Sequence, residues 1–297
     1  MNDMTLLKTV HGLIASVEAL AALGAELRLR RDGTAGDPRI RTRLQAVVRS
    51  IDPRLSDEVL SVRADYSTAL IQTAMHQAID LMENPARAPG WCYEDPTILQ
   101  SQGQVSRLIV YSIDELAFDR PDLRAALQQP GTLLDVGTGG GWVAIEAARV
   151  WPGLRVVGID VWEPALALAR KNAAAAGFAP RIGLRLQRVE LLDEAATFSV
   201  AWFPGPFIAA NVTHTALARV YHALQPGGWL IFGLWAPSAN RLEDAVANLR
   251  IVRNGGYPWV AKEVEDCLLT AGFVRIESLP PGEPGSPVAF VIGQRPS

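Results

Sequence analysis

A run of glycines between two apolar segments is the strongest sign of chemistry in this 297-residue chain. The glycines of residues 137–141 follow β-forming residues at 133–136, and a helix-forming segment comes next at residues 142–148. Glycine tolerates positive φ and has no Cβ, so a ligand can approach the backbone of such a loop closely. The run therefore predicts a strand, a tight turn and a helix, with the turn as a ligand-binding loop.

Two acids flank this loop where a carboxylate could bind a ligand. Asp135 precedes the glycines, and Asp160 ends the next strand-like segment, 21 residues after Gly139. A carboxylate at a strand end can accept hydrogen bonds from both hydroxyls of a ribose, which a neutral residue does less well. A dinucleotide-binding loop would need a third glycine where this chain has Trp142, so the spacing argues against NAD.

The later segments continue the alternation of strands and helices. A Leu-Gln-Pro-Gly-Gly turn at residues 224–228 precedes the fifth predicted strand, and a proline- and glycine-rich connection at residues 280–285 joins the last two. With the glycine loop and the two acids, these motifs resemble the class I S-adenosylmethionine (SAM) dependent methyltransferases of small-molecule type over residues 120–297. The predicted strands are residues 133–136, 156–160, 184–189, 198–203, 229–235, 273–279 and 288–292.

The resemblance implies SAM as the cofactor and assigns its contacts. It places Asp135 near the amino-acid end of the ligand, Asp160 at the ribose and Glu190 near the adenine amine, with Asp193 as a weaker candidate. The cofactor-binding residues that it implies are Asp135, Gly137, Thr138, Gly139, Gly141, Asp160, Val161, Glu190, Leu191 and Phe203.

The order of the elements predicts an α/β domain preceded by an all-α N-terminal module. Residues 1–95 have helical spacing and almost no strand signal, and Asp95 with Pro96 is typical of a helix start. We expect a helical module at residues 1–95, a connecting helix at 96–118 and a catalytic domain at 119–297, since alternating strands and helices imply a parallel sheet. The resemblance implies a Rossmann-like, seven-stranded, mostly parallel sheet with an antiparallel last strand. The helical patterns of the module run over about 5–29, 39–50, 56–62 and 65–83.

The segment after the fourth strand bears on the methyl acceptor. Methyl transfer from a sulfonium is an in-line displacement, for which the protein supplies mainly proximity, alignment and exclusion of water. Relatives that methylate the amines of nucleobases or glutamine carry Asn/Asp/Ser-Pro-Pro-aromatic there, whereas residues 203–207 are Phe-Pro-Gly-Pro-Phe. The missing polar residue argues against amine methylation and favours oxygen. The two cysteines do not fit a cytosine-methylating enzyme, and no catechol-type magnesium ligands are evident, so we expect no metal.

His214 is the candidate catalytic base or substrate contact. It lies only 12 residues before Pro226, closer than the histidine that plant-type O-methyltransferases use, so a surface or capping histidine is the alternative. Phe203 and Phe207 at the end of the fourth strand could line an apolar pocket or pack in the core.

Trp91, Tyr93 and Gln100 flank the module boundary, where small-molecule relatives place a lid over SAM. With Phe207 they form the predicted substrate and lid residues. The alternative for the two aromatic residues is that they pack the two parts of the chain together.

Composition limits the possible partners. A net charge of −3 offers no chain-wide attraction to nucleic acid, and two cysteines provide neither a disulfide framework nor a zinc site. The acidic start does not resemble a signal peptide, and Lys8, His11 and Glu18 interrupt the first apolar helix, so we expect no membrane span and a cytoplasmic location. An arginine cluster at residues 28–43 is either a solvated face or a site for an anionic partner.

The sequence therefore predicts a SAM-dependent methyltransferase that acts on a small-molecule acceptor, with oxygen as the favoured atom. The helical module would form a lid, a dimer contact or both, so a homodimer is a further expectation. A non-catalytic SAM-fold binding protein and an NAD-dependent oxidoreductase remain as alternatives.

Overall fold

Two compact units, Met1–Pro85 and Ala86–Ser297, make up the chain in the computed structural model, which describes residues 2–281 and 288–297. Residues 282–285 of the predicted connection between the last two strands lie outside the described residues. The boundary falls earlier than the predicted position 95 because the segment 86–95 is bonded to the second unit. Trp162 Nε1 donates to Tyr93 O at 2.8 Å, for example.

The first unit is all-helical, which confirms the helical spacing of its sequence. The Asp37 side chain accepts a hydrogen bond from Arg39 N and caps the second helix, which begins with proline. Leu27, Val48 and Leu60 form a small buried cluster. The helices are α1 (Asn2–Arg31), α2 (Pro38–Ile51), α3 (Asp57–Ser61) and α4 (Ala64–Glu83).

Helix α1 exposes a long row of apolar side chains. Leu6, Leu13 and Val17 are 62%, 55% and 56% exposed. By length and composition alone, α1 over Met4–Arg31 passes the test for a helix that could cross a membrane. Large exposed apolar patches are typical of surfaces that contact another protein or a membrane.

The second unit is a seven-stranded sheet in the order β3-β2-β1-β4-β5-β7-β6. The pairings among β1 to β5 are parallel, and β7 is antiparallel to both β5 and β6, which confirms the predicted topology. The chain leaves β1 toward β2 and later returns on the other side of β1 as β4, so a topological switch point lies at the carboxyl ends of β1 and β4. The strands are β1 (Gly131–Val136), β2 (Leu154–Asp160), β3 (Ile182–Leu186), β4 (Phe198–Pro204), β5 (Leu224–Trp235), β6 (Val274–Leu279) and β7 (Val288–Gln294).

Helices cover the sheet with two apolar cores, because successive strand residues point to opposite faces. Leu133 belongs to the core with α6 to α8, whereas its neighbour Leu134 belongs to the core with α10 and α12. The helices of this unit are α5 (Pro96–Ser106), α6 (Leu108–Ala117), α7 (Pro121–Gln128), α8 (Trp142–Val150), α9 (Glu163–Ala175), α10 (Ala210–Ala223), α11 (Arg241–Arg253) and α12 (Ala261–Ala271).

Two features of the helices differ from the sequence-based expectation. The single connecting helix at 96–118 is two helices, α5 and α6, and no pattern had indicated α11. Helix α11 has no clear apolar side, since Leu242 and Leu249 are 64% and 50% exposed while Ile251 is buried and Arg250 is part-buried. Apolar periodicity normally marks the buried face of a helix, so such a helix gives no usual amphipathic signal.

Gly233 in β5 lies where the sheet is tightly packed, and replacing it tests that packing. We predict that Gly233→Ala lowers stability by about 1–3 kcal/mol, because overpacking a core has that cost, and a Cβ at this position would lie 2.2 Å from Trp202 Cη2. Gly183→Ala in β3 is the matched control, since a Cβ there would meet only Val156 O, at 4.0 Å. Thermal unfolding measures both variants, and equal melting temperatures would contradict the packing argument.

Candidate functional site

Three glycines of the loop after β1 adopt positive φ, as a tight turn between strand and helix requires. The φ values are 63° at Gly137, 54° at Gly139 and 78° at Gly141, which is the N-cap of α8. Between them, Thr138 N donates to Ile159 O at 3.0 Å and ties the loop to β2. The backbone of the loop is therefore held at the switch point of the sheet.

The space beside each glycine shows why the loop needs it. A Cβ at Gly141 would lie 3.0 Å from Ala169 Cβ, and one at Gly137 would lie 3.4 Å from Pro204 Cγ. A Cβ at Gly139 would meet only Gly137 O, at 3.9 Å. The space beside Gly139 is therefore an open cradle, which a side chain at this position would occupy. Glycine leaves this space free, so a ligand could approach the backbone closely.

Asp135 is buried at this cradle with one oxygen unpaired. Its Oδ2 accepts a hydrogen bond from Thr138 Oγ1 at 2.6 Å, while its Oδ1 has no hydrogen-bond partner among the described residues. Burial raises the pKa of Asp135 to about 7, opposed by the Thr138 hydrogen bond and reinforced by the nearby charge of Asp160. A buried carboxylate with an unpaired oxygen and a raised pKa would be stabilised by a cationic ligand group that donates a hydrogen bond to that oxygen.

Asp160 at the end of β2 connects the loop to the sheet. Its Oδ2 accepts from Gly139 N at 2.7 Å, and its Oδ1 accepts from Trp162 N at 2.9 Å. Burial raises the pKa of Asp160 against these backbone hydrogen bonds. Each carboxylate oxygen can accept a further bond, so Asp160 can hold the loop and still bind hydroxyl groups.

The residues that follow β2 and β3 have mixed environments. Val161 and Leu191 are 64% and 63% exposed. Glu190 is paired with Arg188, whose Nε lies 2.7 Å from Glu190 Oε1. The adenine contact expected of Glu190 would therefore share the carboxylate with an arginine.

Residues 86–95 form a strap between two parts of the carboxyl edge of the sheet. Tyr93 O accepts from Trp162 Nε1 after β2, and Gly90 N donates to Arg253 O at the end of α11, at 3.0 Å. Trp91 packs edge-on against Tyr93, with ring centroids 5.0 Å apart. The strap therefore lies where the sequence places a lid, with the Tyr93 side chain buried in it.

Gln100 and Phe203, by contrast, lie in environments that differ from their predicted roles. The Gln100 side chain bonds to Trp142 and Asn172 behind the glycine loop, so its amide is already engaged. Phe203 is fully buried and stacked on Phe232, with ring centroids 5.1 Å apart, so its ring belongs to the core.

Phe207 and His214 follow β4. Phe207 ends the short 3-10 turn Gly205–Phe207 and is 41% exposed at the carboxyl edge. His214 is exposed on the first part of α10, with Nε2 4.0 Å from Sγ of the buried Cys267 on α12. Sequence spacing had not indicated this contact, since the two residues are far apart in the chain.

No cluster of three or more His, Cys, Asp or Glu side chains among the described residues is arranged to hold a metal ion. The chemistry that these residues offer is binding by a backbone cradle, two buried carboxylates and apolar flanks.

Comparisons with known proteins agree with this arrangement. A family model described as "Methyltransferase domain" matches residues 133–228, which contain the glycine loop and both acids. Release factor glutamine methyltransferase of Cereibacter sphaeroides is 35% identical over 115 residues, which cover 36% of this chain and 40% of that protein. The match therefore spans less than half of this relative.

Two solved structures share the fold over nearly their whole length. Human N-acetylserotonin methyltransferase, in complex with SAM, has a TM-score of 0.67 at 14% identity and covers 100% of this chain and 99% of its own. An O-methyltransferase family protein from Burkholderia thailandensis has a TM-score of 0.66 at 13% identity, with the same coverage. At this identity the likeness establishes the fold, a Rossmann-like sheet after a helical segment.

The raised pKa of Asp135 predicts a pH-dependent cost in stability. The folded protein holds this proton up to about pH 7, above the ordinary value of 3.8, so stability falls as pH rises between these values. Asp135→Asn removes this cost, and we expect a higher free energy of unfolding than in the wild type, by an amount of the order of a few kcal/mol at pH 8 and smaller at pH 5. Thermal unfolding at both pH values measures it.

Asp193→Asn is the matched control, because Asp193 is exposed. We expect this variant to follow the wild type at both pH values. An Asp135→Asn variant less stable than wild type at pH 8 would show that the carboxylate stabilises the empty fold.

Proposed function

We propose that this chain, a member of the class I SAM-dependent methyltransferase family, binds SAM at the carboxyl edge of its sheet and methylates a small molecule. The observation that carries the proposal is the buried Oδ1 of Asp135, which has no hydrogen-bond partner among the described residues and belongs to the strand that leads into the glycine loop with its open space at Gly139. A ligand with a cationic amino-acid end and a ribose fits both features and the carboxylate of Asp160.

In this proposal each site residue contacts a different part of SAM. Asp135 neutralises the ammonium group of the ligand, Asp160 accepts the ribose hydroxyls, and Val161 with Leu191 flanks the adenine ring. Glu190, which is paired with Arg188, accepts a further hydrogen bond from the adenine amine. The sulfonium of SAM supplies the activated methyl group, so the protein need only align the acceptor and exclude water.

The acceptor side favours oxygen in this proposal. Residues 203–207 lack the polar residue that amine-methylating relatives carry, and the fold is shared with an O-methyltransferase family protein. The strap 86–95, with Trp91 and Tyr93, closes the carboxyl edge near α11, where Phe207 provides an apolar surface. Exclusion of water by such a lid supports alignment of the acceptor.

His214 remains the candidate base, but its contact with Cys267 supports a packing role better. An acceptor that reaches the site as an anion, such as a phenolate or carboxylate, requires no base from the protein. A cytoplasmic location and no bound metal or nucleic acid complete the proposal.

Calorimetry with SAM, S-adenosylhomocysteine (SAH) and NADH tests the proposal against its alternatives. We expect SAM and SAH to bind and NADH not to bind. Binding of NADH alone would favour an oxidoreductase. SAM binding without methyl transfer to any member of a panel of phenols and carboxylic acids would favour a non-catalytic binding protein.

We predict that Gly139→Ala weakens SAH binding at least tenfold, because the new methyl group enters the ligand cradle. Gly177→Ala is the matched control: Gly177 also has positive φ, at 77°, and a Cβ there would meet no atom within 4 Å. Both variants therefore carry a similar backbone strain. Calorimetry with SAH measures the difference. Equal affinity in the two variants would show that the loop is a structural turn and that its open space at Gly139 does not bind the ligand.

We propose that a second copy of the chain covers the apolar face of α1 and forms a homodimer. Leu6, Val10, Leu13, Val17 and Leu20 recur at alternating spacings of four and three residues, which is typical of a helix–helix seam, and each is exposed. A seam of this kind fits another helix along its whole length.

Replacing Leu13 and Val17 by glutamate should produce a monomer, because two charges would enter the seam. Lys8→Glu, a charge change outside the row, is the control and should remain dimeric. Light scattering after size-exclusion chromatography measures the mass. A monomeric wild-type protein would refute the homodimer.

A further inference from the structure

A chain of side-chain amides lies behind the glycine loop and connects three helices. Gln100 on α5 accepts from Trp142 Nε1 on α8 at 2.8 Å and from Asn172 Nδ2 on α9 at 2.9 Å. Its Nε2 donates to Asn172 Oδ1 at 2.8 Å. Asn172 Nδ2 also donates to the carbonyl oxygen of Gly140 in the loop, at 2.8 Å.

The ends of this chain fix the orientation of both amides. The indole of Trp142 can only donate, so it requires the oxygen of Gln100. The carbonyl of Gly140 can only accept, so it requires the nitrogen of Asn172. The two amides then meet with each donor facing an acceptor, so every bond in the chain depends on the others.

Close packing holds the chain of amides in place. A Cβ at Gly103 of α5 would lie 2.5 Å from Trp142 Cδ1, so only glycine lets α5 approach α8 this closely. Asn172 is 9% exposed, and a buried amide that loses its partners carries a desolvation cost. Water therefore substitutes poorly for a missing member of the chain.

The loop is thus held from two sides. Asp160 binds Gly139 N from β2, and Asn172 binds Gly140 O from α9. The two bonds fix the peptide units on either side of the one that joins Gly139 to Gly140, because one holds the amide of Gly139 and the other the carbonyl of Gly140. Glycine backbone is otherwise the most mobile in a chain, so an unheld loop would lose entropy when a ligand orders it.

We propose that Gln100 is a positioning residue for the cofactor loop, acting through Asn172 on the Gly140 carbonyl. It sets the loop in its binding conformation before the ligand arrives and does not touch the ligand itself. The inference rests on the proposed binding of SAM by this chain. It also replaces the lid role that sequence position suggested for Gln100.

The test compares Gln100→Leu with Gln104→Leu in the full-length chain. Gln104 lies on the same helix and makes no side-chain hydrogen bond in the described structure, so it controls for helix propensity and loss of polarity. We expect SAH affinity, measured by calorimetry, to fall about tenfold in Gln100→Leu and to stay within twofold of wild type in Gln104→Leu. Hydrogen exchange of the peptide that carries the loop should rise in Gln100→Leu without ligand.

A double-mutant cycle separates positioning from a general loss of packing. If Gln100 acts through Asn172, then Gln100→Leu has no further effect on SAH affinity once Asn172 is replaced by leucine. Additive effects of the two substitutions would refute the coupling. If Gln100→Leu does not fold, Gln100→Asn takes its place in the cycle, because its shorter amide keeps the polarity and cannot span the same bonds.

The outcomes distinguish this inference from the proposed function. A wild-type chain that does not bind SAH refutes SAM binding by this chain. A wild-type chain that binds SAH, together with a folded Gln100→Leu variant of equal affinity and equal loop exchange, refutes the positioning role alone.

Discussion

The hydrogen bond from Gly139 N to the carboxylate of Asp160 is the interaction on which the rest of the site depends. It joins the glycine loop after β1 to the end of β2, 2.7 Å apart, at the switch point of the sheet. Because the loop follows one strand and the acid ends its neighbour, the parallel pairing of β1 and β2 sets their distance. The same carboxylate has lone pairs left over, so one group holds the loop and remains able to accept further hydrogen bonds.

This arrangement keeps buried charge in the fold. Asp135 and Asp160 lie close together under low solvent exposure, and the pKa of each is raised mainly by burial. A pair of buried carboxylates lowers the free energy of unfolding compared with neutral side chains at the same positions, and a cationic ligand would offset that cost. Functional sites often carry such local destabilisation, which the surrounding packing must support. Here the support includes the largely buried strands β1, which leads into the loop, and β4, which pairs with β1.

The helices around the sheet position the glycine loop as well as covering the core. Helix α5 brings Gln100 behind the loop, and Asp95 at its start caps it directly after the strap. The strap itself is bonded to Trp162 beside Asp160 and to Arg253 at the end of α11. The strap and the helix that carries Gln100 are therefore consecutive in the chain, so a change in one has a direct physical route to the other.

The sequence by itself determined the features that depend on local chemistry and on spacing along the chain. The glycine loop, the two acids and the alternation of strands and helices follow from residue types at fixed intervals, because positive φ and strand periodicity leave marks in a single segment. The antiparallel last strand was implied only by the resemblance to methyltransferases. Only the tertiary structure decided where side chains from distant segments meet. Gln100 reaches Asn172, His214 faces Cys267, and Phe203 stacks on Phe232 because helices and strands far apart in the chain pack together. Helix α11 was missed for the same reason: its exposed side mixes apolar and charged residues and its inner side holds both Ile251 and Arg250, so packing rather than periodicity determines its position.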